Sequence, residues 1–294
     1  MKLIKIFYFL LGFIFLDFCL SRTSLPINKY SYTMGYKKIY KKIKDTKGQK
    51  RIILFGGSSL AWGLSAKDLT NDLRILTLNS GIHGAMGTKR ILSTVIDVIE
   101  KDKDLIVISP EYQSINQNFA KSRSKEYCEI ILYTLNKYPT ECIGYSLNKV
   151  IRLFPTFNKK SGDYFKSGFN EYGDYVYRRQ QVNMIGKVRK DKNCINFSNN
   201  DLVQHYIPLM KELKNKGYKI VYIPTLIPKG CGDLSDINTF HNLLYEEFGI
   251  KGFKNMDLQE DHKYFYNSNY HLTKEGVKLR TKYTLNQLNK FLYN

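Results

Sequence analysis

A serine and a histidine that lie far apart in the chain carry the clearest chemical signal. Ser59 stands in the segment Gly-Ser-Ser-Leu-Ala-Trp-Gly at residues 57–63, directly after the apolar run at residues 51–55. A serine in the tight turn after a buried strand is presented at a sheet edge, beside helix amides that stabilise negative charge. A helix cap or a phosphate-binding loop would explain the same turn, although neither Gly-Lys-Ser/Thr nor Gly-x-Gly-x-x-Gly is present there.

Two further segments supply groups that a reactive serine would need. Residues 79–84 read Asn-Ser-Gly-Ile-His-Gly, and glycines at the end of a strand let backbone amides approach an oxyanion. His271 stands directly before a helix that Thr273 opens, where an imidazole could act as a general base. Each segment also has an ordinary explanation, a turn for the first and a structural histidine for the second.

Strand and helix patterns alternate around these segments. Buried strands are predicted at residues 51–55, 74–78, 104–108 and 219–223. Helices are predicted from the cap Ser65 through residue 73, and at residues 88–100, about 120–154, about 202–213 and about 273–291. This alternation predicts an α/β fold with a mostly parallel sheet. The loops at residues 56–63, 79–87 and 109–116 should therefore meet at the carboxyl edge of that sheet.

Taken together, three patterns resemble the SGNH/GDSL hydrolase family over roughly residues 50–285. They are Gly-x-Ser-x-x-x-Gly after the first strand, Asn-x-Gly-x-x-Gly after the second, and a histidine before the last helix. The resemblance implies a flavodoxin-like three-layer α/β/α sandwich and acyl-ester hydrolysis or transfer through an acyl-serine. Residues 169–174 and 265–272 are similar to a membrane-anchored branch associated with cell-surface polysaccharide, like the alginate-acetyltransferase-like proteins.

The resemblance also assigns roles to individual residues. Ser59 matches the nucleophile, and Ser58 is the alternative if the register shifts by one position. Gly84 matches the glycine whose backbone amide joins the oxyanion hole, and His271 matches the general base. The expected substrate-binding residues are Asn79, His83, Glu111 and Asn116.

Two departures from the family pattern put the rate of such a reaction in question. Residues 109–112 read Ser-Pro-Glu-Tyr where the family has Gly-x-Asn-Asp, so one oxyanion donor is missing or comes from Asn116. Loss of such a donor costs about 10²–10³ in rate. The aspartate before the histidine is replaced by Asn267 or Ser268, and an amide orients an imidazole without stabilising its cation. The carboxylates that could substitute for it are Asp261, Glu111 and Asp174.

The N-terminus indicates the compartment. Residues 3–20 are almost wholly apolar, with Lys2 and Lys5 at the start of the run and Arg22 after it. About 18 residues is near the lower limit for a membrane-spanning helix. We expect a signal anchor at residues 1–22 with the remaining chain outside the cytoplasmic membrane; a cleaved signal and a buried core helix are the alternatives. Asp17 is expected to reach the membrane interface.

Composition limits the remaining possibilities. The 294 residues carry a formal charge of +20 spread over the whole length, and no nucleic-acid-binding module accompanies it. We predict a linker at residues 23–49 and a domain at residues 50–294. The densest basic cluster, at residues 37–51, lies across this boundary. The cluster indicates either a contact with a lipid surface or a solvated helix. Five cysteines show no metal-binding spacing. Cys128 and Cys142 could pair in an oxidising compartment, but free, buried thiols are expected.

The sequence therefore predicts an extracytoplasmic acyl-ester enzyme, an O-acetyltransferase or esterase, that acts on a cell-surface glycan through an acyl-serine. The alternative is a catalytically inactive protein of the same fold that binds glycan or helps assemble polysaccharide machinery. The expected partners are a glycan or acyl-ester substrate, the membrane and a membrane-bound acyl-donor protein. No cofactor, metal ion or nucleic acid is expected, and residues 155–195 are expected to form an excursion from the sheet rather than a separate domain.

Overall fold

A computed structural model describes residues 2–22, 32–116, 124–133, 135–148, 166–177, 199–249 and 259–293. The strands are β1 (Arg51–Gly56), β2 (Leu76–Asn79), β3 (Asp104–Ser109), β4 (Lys219–Tyr222), β5 (Ile227–Pro228) and β6 (Gln259–Glu260). The main helices are α1 (Lys2–Ser21), α2 (Tyr32–Asp45), α3 (Ser58–Gly63), α4 (Ala66–Leu73), α5 (Thr88–Ser93), α6 (Tyr112–Ile115), α7 (Ser124–Tyr133), α8 (Ile207–Asn215), α9 (Leu234–Phe248) and α10 (Lys274–Tyr293). A π-helical turn, Leu202–Tyr206, leads directly into α8.

The four predicted strands form one parallel sheet in the order β2-β1-β3-β4. Strand β1 lies in the middle, with Ile53 opposite Leu78 of β2 on one side and Ile106 of β3 on the other. The α/β class and the mostly parallel sheet are thus confirmed, with strand ends within two residues of the prediction. A second, two-stranded parallel sheet of β5 and β6 was not predicted, because strands of two residues leave no periodic pattern.

Alternating residues of β1 point to opposite faces of the sheet, and both faces are apolar. Ile52 and Leu54 pack in one cluster with α4 and α10, whereas Ile53 and Phe55 pack in a larger cluster with α2, α5, α7, α8 and α9. A strand that is buried on both faces reads as a continuous apolar run, as residues 51–55 do. Helices therefore cover both faces of the sheet and leave its carboxyl edge to the loops.

Helix α2 belongs to this core and is not a linker. Tyr36, Ile39 and Ile43 repeat at helical spacing on one face and are fully buried. The lysines of the basic cluster project from the other face into solvent. The predicted linker boundary at residue 49 therefore differs from the structure, in which α2 already packs in the core. The sequence left a solvated helix open here, but the many lysines concealed the buried face of that helix.

A buried ion pair joins α2 to the start of the sheet. The guanidinium of Arg51 in β1 lies 2.7 Å (Nε–Oδ1) and 2.6 Å (Nη2–Oδ2) from the carboxylate of Asp104 in β3, and both side chains are fully buried. Arg51 Nη1 also donates to the carbonyl of Ile43 and, over 3.1 Å, to Thr46 Oγ1. The pair thus fixes two neighbouring strands and the end of α2 at one point.

The apolar helix α1 is long and apolar enough to cross a membrane, and its end is docked on the folded chain. The carboxylate of Asp17 is fully buried and accepts hydrogen bonds from Tyr138 Oη (2.5 Å), the Gly144 amide (2.8 Å) and the Leu147 amide (2.7 Å). The carboxylate that was expected at the membrane interface is thus bonded to the folded chain. Three donors replace its hydration, which makes the buried carboxylate tolerable.

Cysteine pairing differs from the prediction. Cys128 and Cys142 form a disulfide bond that ties α7 to the 3₁₀ turn Thr140–Cys142. Cys231 is also disulfide-bonded, whereas Cys19 in α1 is free and exposed. The expectation of free, buried thiols was therefore wrong, because spacing along the chain does not report distance in the fold.

Several helices also differ from the prediction. The helix predicted at residues 88–100 ends at Ser93, after which the 3₁₀ turn Ile96–Val98 follows. Helix α9 was missed entirely. Ser65 caps α4 as predicted, accepting from the Asp68 amide over 3.2 Å. Most of the predicted excursion at residues 155–195, and part of the helix predicted at 120–154, lie outside the described residues.

We expect Asp104→Asn to destabilise the fold by about 3 kcal/mol, because it leaves the buried charge of Arg51 with only the partly exposed Glu100 carboxylate, 3.5 Å away, as its partner. The free energy of unfolding from urea titration would measure this. Glu141→Gln is the matched control, since it breaks the partly exposed Arg90–Glu141 pair at 2.9 Å and should cost less than about 1 kcal/mol. Equal effects of the two substitutions would contradict the role given to the buried pair.

Candidate active site

The pairing of β1 with β3 brings two of the predicted loops together. Gly56 at the end of β1 lies opposite Ser109 at the end of β3, so the chain leaves both strands side by side. Gly57 caps the short helix α3, which begins at Ser58, and Glu111 caps α6 after β3. The first and third loops therefore meet at the carboxyl edge of the sheet, as the alternation of elements predicted.

His271 faces Ser58 at this edge. The imidazole Nε2 lies 3.0 Å from Ser58 Oγ, and Nδ1 lies 2.7 Å from Asn267 Oδ1. An amide oxygen only accepts, so Nδ1 carries the proton and the Nε2 lone pair points at the serine hydroxyl. The three side chains form a relay with the order and tautomer of a Ser-His-Asp triad, in which an amide replaces the carboxylate.

A tight hairpin before α10 brings Asn267 and His271 together. Phe265 and Leu272 form an antiparallel bridge, and the Tyr266 amide donates to the His271 carbonyl over 2.8 Å. Ser268 Oγ accepts from the His271 amide over 3.1 Å. These bonds fold the segment back on itself, so Asn267 comes to lie across from a histidine four residues later.

Trp62 of α3 fixes the plane of the imidazole. Its indole stacks on the His271 ring with centroids 4.6 Å apart and planes inclined by 13°. The stack buries the histidine, and burial lowers the pKa of His271 to about 3, with a smaller lowering from His83. His271 is therefore neutral at physiological pH, as a general base must be.

The structure places Ser58, not Ser59, opposite the histidine. Ser59 is fully buried, and its Oγ has no hydrogen-bond partner among the described residues. Its backbone has partners instead: the amide donates to Glu111 Oε1 over 2.5 Å and the carbonyl accepts from Arg280 Nη1 over 2.6 Å. The register of the first motif is thus shifted by one residue, and we take Ser58 as the candidate nucleophile in place of Ser59.

Glu111 occupies the centre of the site. Its carboxylate is fully buried; Oε1 accepts from the Ser59 amide and lies 3.1 Å from Ser58 Oγ, while Oε2 accepts from Gln113 Nε2 over 3.1 Å. A Cβ on either Gly57 or Gly84 would overlap with this carboxylate. The two glycines therefore leave room for a carboxylate at the position where the family pattern predicts an oxyanion.

A buried arginine from α10 supports the same loops. Arg280 is almost fully buried and donates from Nη2 to Ser109 Oγ over 2.7 Å, in addition to its bond to the Ser59 carbonyl. Burial lowers the pKa of Arg280 to about 10, against the opposing influence of the Glu111 carboxylate. The guanidinium stays protonated and compensates part of the negative charge in the site.

Other predicted residues lie elsewhere or have structural roles. Asn79 is fully buried: its amide group donates to the Leu60 carbonyl (2.9 Å) and to Asp174 (3.1 Å), so the predicted substrate contact is not available to it. Asp174 accepts from the Ala66 amide over 2.8 Å and caps α4. Neither of these groups reaches the histidine.

Three further candidates take no part in the relay. Asp261 is exposed and caps the 3₁₀ turn His262–Tyr264, so it does not replace the missing aspartate. Asn116 lies at the end of α6, where its amide donates to the Gln113 carbonyl. His83 is half-buried beside the Gly84–Met86 turn and close enough to His271 to influence its pKa.

Sequence reasoning missed Trp62, Gln113 and Arg280 as contributors to the site. Arg280 left a readable signal, because it shares the apolar face of α10 with Val277 and Leu288, where a charged residue is out of place. Trp62 carried none, since a tryptophan after a strand fits any core. Among the described residues, no cluster of three His, Cys, Asp or Glu side chains could hold a metal ion.

A second buried histidine lies apart from the site. His241 of α9 is hydrogen-bonded through Nε2 to Tyr112 Oη over 2.7 Å and through Nδ1 to Tyr222 Oη. Burial lowers the pKa of His241 to about 3. Both ring nitrogens have partners within the core, which identifies this histidine as a structural one.

We expect the fold to lose stability as the pH falls below about 6.5. Unfolded histidines take up protons below the ordinary pKa of 6.5, whereas His241 and His271 stay neutral in the folded chain down to about 3. Each should cost about 2 kcal/mol between pH 6.5 and pH 5. Free energies of unfolding, measured by urea titration between pH 6.5 and pH 5, would show this loss of stability. His271→Gln should halve the loss and His205→Gln, at an exposed position, should not; equal stability at pH 7 and pH 5 would contradict the burial argument.

The chain was compared with protein-family models, with curated proteins and with solved structures, and none of them matches it. The α/β class is established by the strand order and by the parallel register described above. The resemblance to SGNH/GDSL hydrolases stays a prediction that depends on the residues of the first, second and last motifs.

Proposed function

We propose that the chain is an extracytoplasmic acyl-ester enzyme of the SGNH type, an O-acetyltransferase or esterase. One observation carries the proposal: Ser58 Oγ, His271 and Asn267 lie in line, at 3.0 and 2.7 Å, at the carboxyl edge of a parallel sheet. A hydroxyl, a neutral imidazole and an orienting group in this order are the components of nucleophilic acyl transfer.

The reaction would proceed in two halves. Ser58 Oγ attacks the ester carbonyl carbon while its proton passes to His271 Nε2, and the tetrahedral oxyanion collapses as the C–O bond breaks. His271 then returns the proton to the leaving alcohol, which leaves an acyl-Ser58. In the second half a sugar hydroxyl or water gives its proton to His271 and attacks the acyl carbonyl carbon. The bond between that carbon and Ser58 Oγ then breaks, and His271 returns the proton to Ser58. Exclusion of water at the acceptor side would favour transfer over hydrolysis.

The topology supports the family assignment. The parallel order β2-β1-β3-β4 with helices on both faces is the arrangement expected of a flavodoxin-like α/β/α sandwich. The candidate nucleophile follows the central strand β1, and the candidate base precedes the last helix, α10. Both positions agree with the order of motifs in the SGNH family.

A surface cleft near the second and third loops has walls that suit a glycan, although Ser58, His271 and Asn267 do not line it. The cleft has a volume of about 690 Å³ and shares residues with the second and third loops, among them Gly87 and Ser114. Its walls combine charged and aromatic groups, including Arg90, Tyr127 and Glu141, which suits hydroxyl groups and sugar faces. A membrane-bound acyl-donor protein is the expected partner for transfer.

The second candidate, a catalytically silent protein that binds glycan or assists polysaccharide assembly, is favoured by Glu111. A carboxylate group 3.1 Å from the candidate nucleophile opposes the build-up of negative charge on the reacting oxygens. Replacement of the usual aspartate by Asn267 also removes the group that would stabilise the imidazolium.

We expect Ser58→Ala and His271→Ala to slow hydrolysis of p-nitrophenyl acetate by at least about 100-fold, because each removes a group that bonds or protonates the reacting atoms. The initial rate of nitrophenolate release by the purified, detergent-solubilised chain would measure this. Rates that are unaltered in both variants would contradict the enzymatic proposal and favour the binding protein.

Two matched variants sharpen this experiment. Ser59→Ala keeps both backbone groups of that position and loses a hydroxyl without a described partner, so a loss below about threefold is expected. Asn267→Asp supplies the missing carboxylate and should raise the rate by about tenfold or more, since the reverse change in a serine protease triad costs about 10⁴. A fall in rate on Asn267→Asp would show that Asn267 does not orient the base.

We also propose that α1 is retained as an anchor and holds the domain on the outer face of the membrane. Three bonds to the buried Asp17 carboxylate support retention, and the Cys128–Cys142 disulfide supports an oxidising compartment. We expect the intact mass of membrane-extracted protein to include residues 2–22, and the disulfide to survive without oxidant. A mature chain that begins after Ser21 would contradict this.

A further inference from the structure

The carboxylate of Glu111 is held like a bound ligand. It has a backbone donor in the Ser59 amide at 2.5 Å and side-chain donors in Ser58 and Gln113, each at 3.1 Å. Gly57 and Gly84 form the walls against which it packs. The pocket thus has the size, the donors and the neighbouring nucleophile that the carbonyl oxygen of an acyl ester would require.

The Ser58 hydroxyl cannot donate to His271 and to Glu111 at the same time. The Ser58 hydroxyl has one proton, and two acceptors face it: His271 Nε2 at 3.0 Å and Glu111 Oε1 at 3.1 Å. If the proton points to Glu111, the lone pairs of Ser58 and Nε2 face each other. If it points to His271, the lone pairs of Ser58 face the carboxylate oxygen of Glu111. Burial lowers the pKa of His271 and so opposes a second proton on its imidazole.

We propose that Glu111 is a displaceable internal ligand of the acyl-binding subsite, and that the subsite takes a carbonyl or small carboxylate once the side chain has swung out. This proposal rests on the proposed acyl-ester function. With Glu111 in place, the Ser59 amide is occupied and Ser58 is drawn away from its base. With Glu111 displaced, the amide faces the incoming oxygen and the Ser58 proton points to His271.

The arrangement of charged groups around Glu111 is consistent with a side chain that can move out of the subsite. Arg280 influences Glu111 electrostatically but bonds to Ser59 and Ser109, not to the carboxylate. All three described donors to Glu111 are uncharged. Displacement therefore breaks neutral-donor bonds and no ion pair. Gln113, half-buried at the start of α6, is the donor closest in sequence and holds the outer oxygen.

Glu111→Ala tests the proposal on the full-length, detergent-solubilised chain. We expect the variant to react with a fluorophosphonate probe about tenfold faster than the wild type, because both the amide donor and the serine proton are released. We also expect sodium acetate at 100 mM to slow the labelling of Glu111→Ala severalfold and to raise its melting temperature relative to sodium chloride at equal ionic strength. The wild type should respond to neither salt, because its own carboxylate fills the subsite.

Glu111→Gln is the companion variant, since it keeps the shape of the side chain and removes its charge. It should be labelled several-fold faster than the wild type without any response to acetate. A folded Glu111→Ala that is labelled no faster and ignores acetate would overturn the proposal, and so would an acetate response of the wild type equal to that of the variant. Acetate stabilisation of Glu111→Ala without labelling of any variant would uphold the subsite and refute the acyl-ester enzyme.

Discussion

The in-register pairing of β1 with β3 is the constraint on which the site depends. Gly56 lies opposite Ser109, so the helix that begins at Ser58 and the loop that carries Glu111 start from neighbouring points. At the other end of the same strands, the buried Arg51–Asp104 ion pair fixes the register of β1 against β3. A slip of one residue would turn every side chain of β1 to the opposite face and separate the serine from its partners.

Three buried ionisable groups, two of them of opposite charge, surround Ser58. The protonated guanidinium of Arg280, the Glu111 carboxylate and the neutral imidazole of His271 are all inaccessible to solvent. Such a set is costly to bury and strongly coupled, which makes the hydroxyl at its centre sensitive to any change in charge. Stacking on Trp62 and the hairpin at residues 265–272 restrict rotation of the imidazole and hold it beside Ser58.

Much of the architecture could be predicted from sequence because periodicity is a local property. The four strands of the main sheet and the Ser65 cap were predicted from apolar runs and turn residues. The packing of helix α2 in the core was not predicted, because its lysine-rich outer face masked the buried spacing of Tyr36, Ile39 and Ile43. The disulfide and the burial of Asp17 depend on segments distant in sequence, which no local pattern reports.

The site was predictable in its parts but not in its register. Ser58 and Ser59 are adjacent, and the choice between them depends on the direction in which the first turn of α3 projects each side chain. Sequence placed Glu111 in the site as a departure from the family pattern, but not as the occupant of the subsite between Gly57 and Gly84. That outcome required the two glycines and the Ser59 amide to converge in space.

The most direct test of the account is the position at which the chain becomes modified. After prolonged treatment of the wild-type protein with a fluorophosphonate, trypsin would release residues 52–67 as one peptide that contains both serines of the first motif. Tandem mass spectrometry should find the adduct on Ser58. An adduct on Ser59, or none within this peptide, would contradict the relay of Ser58, His271 and Asn267.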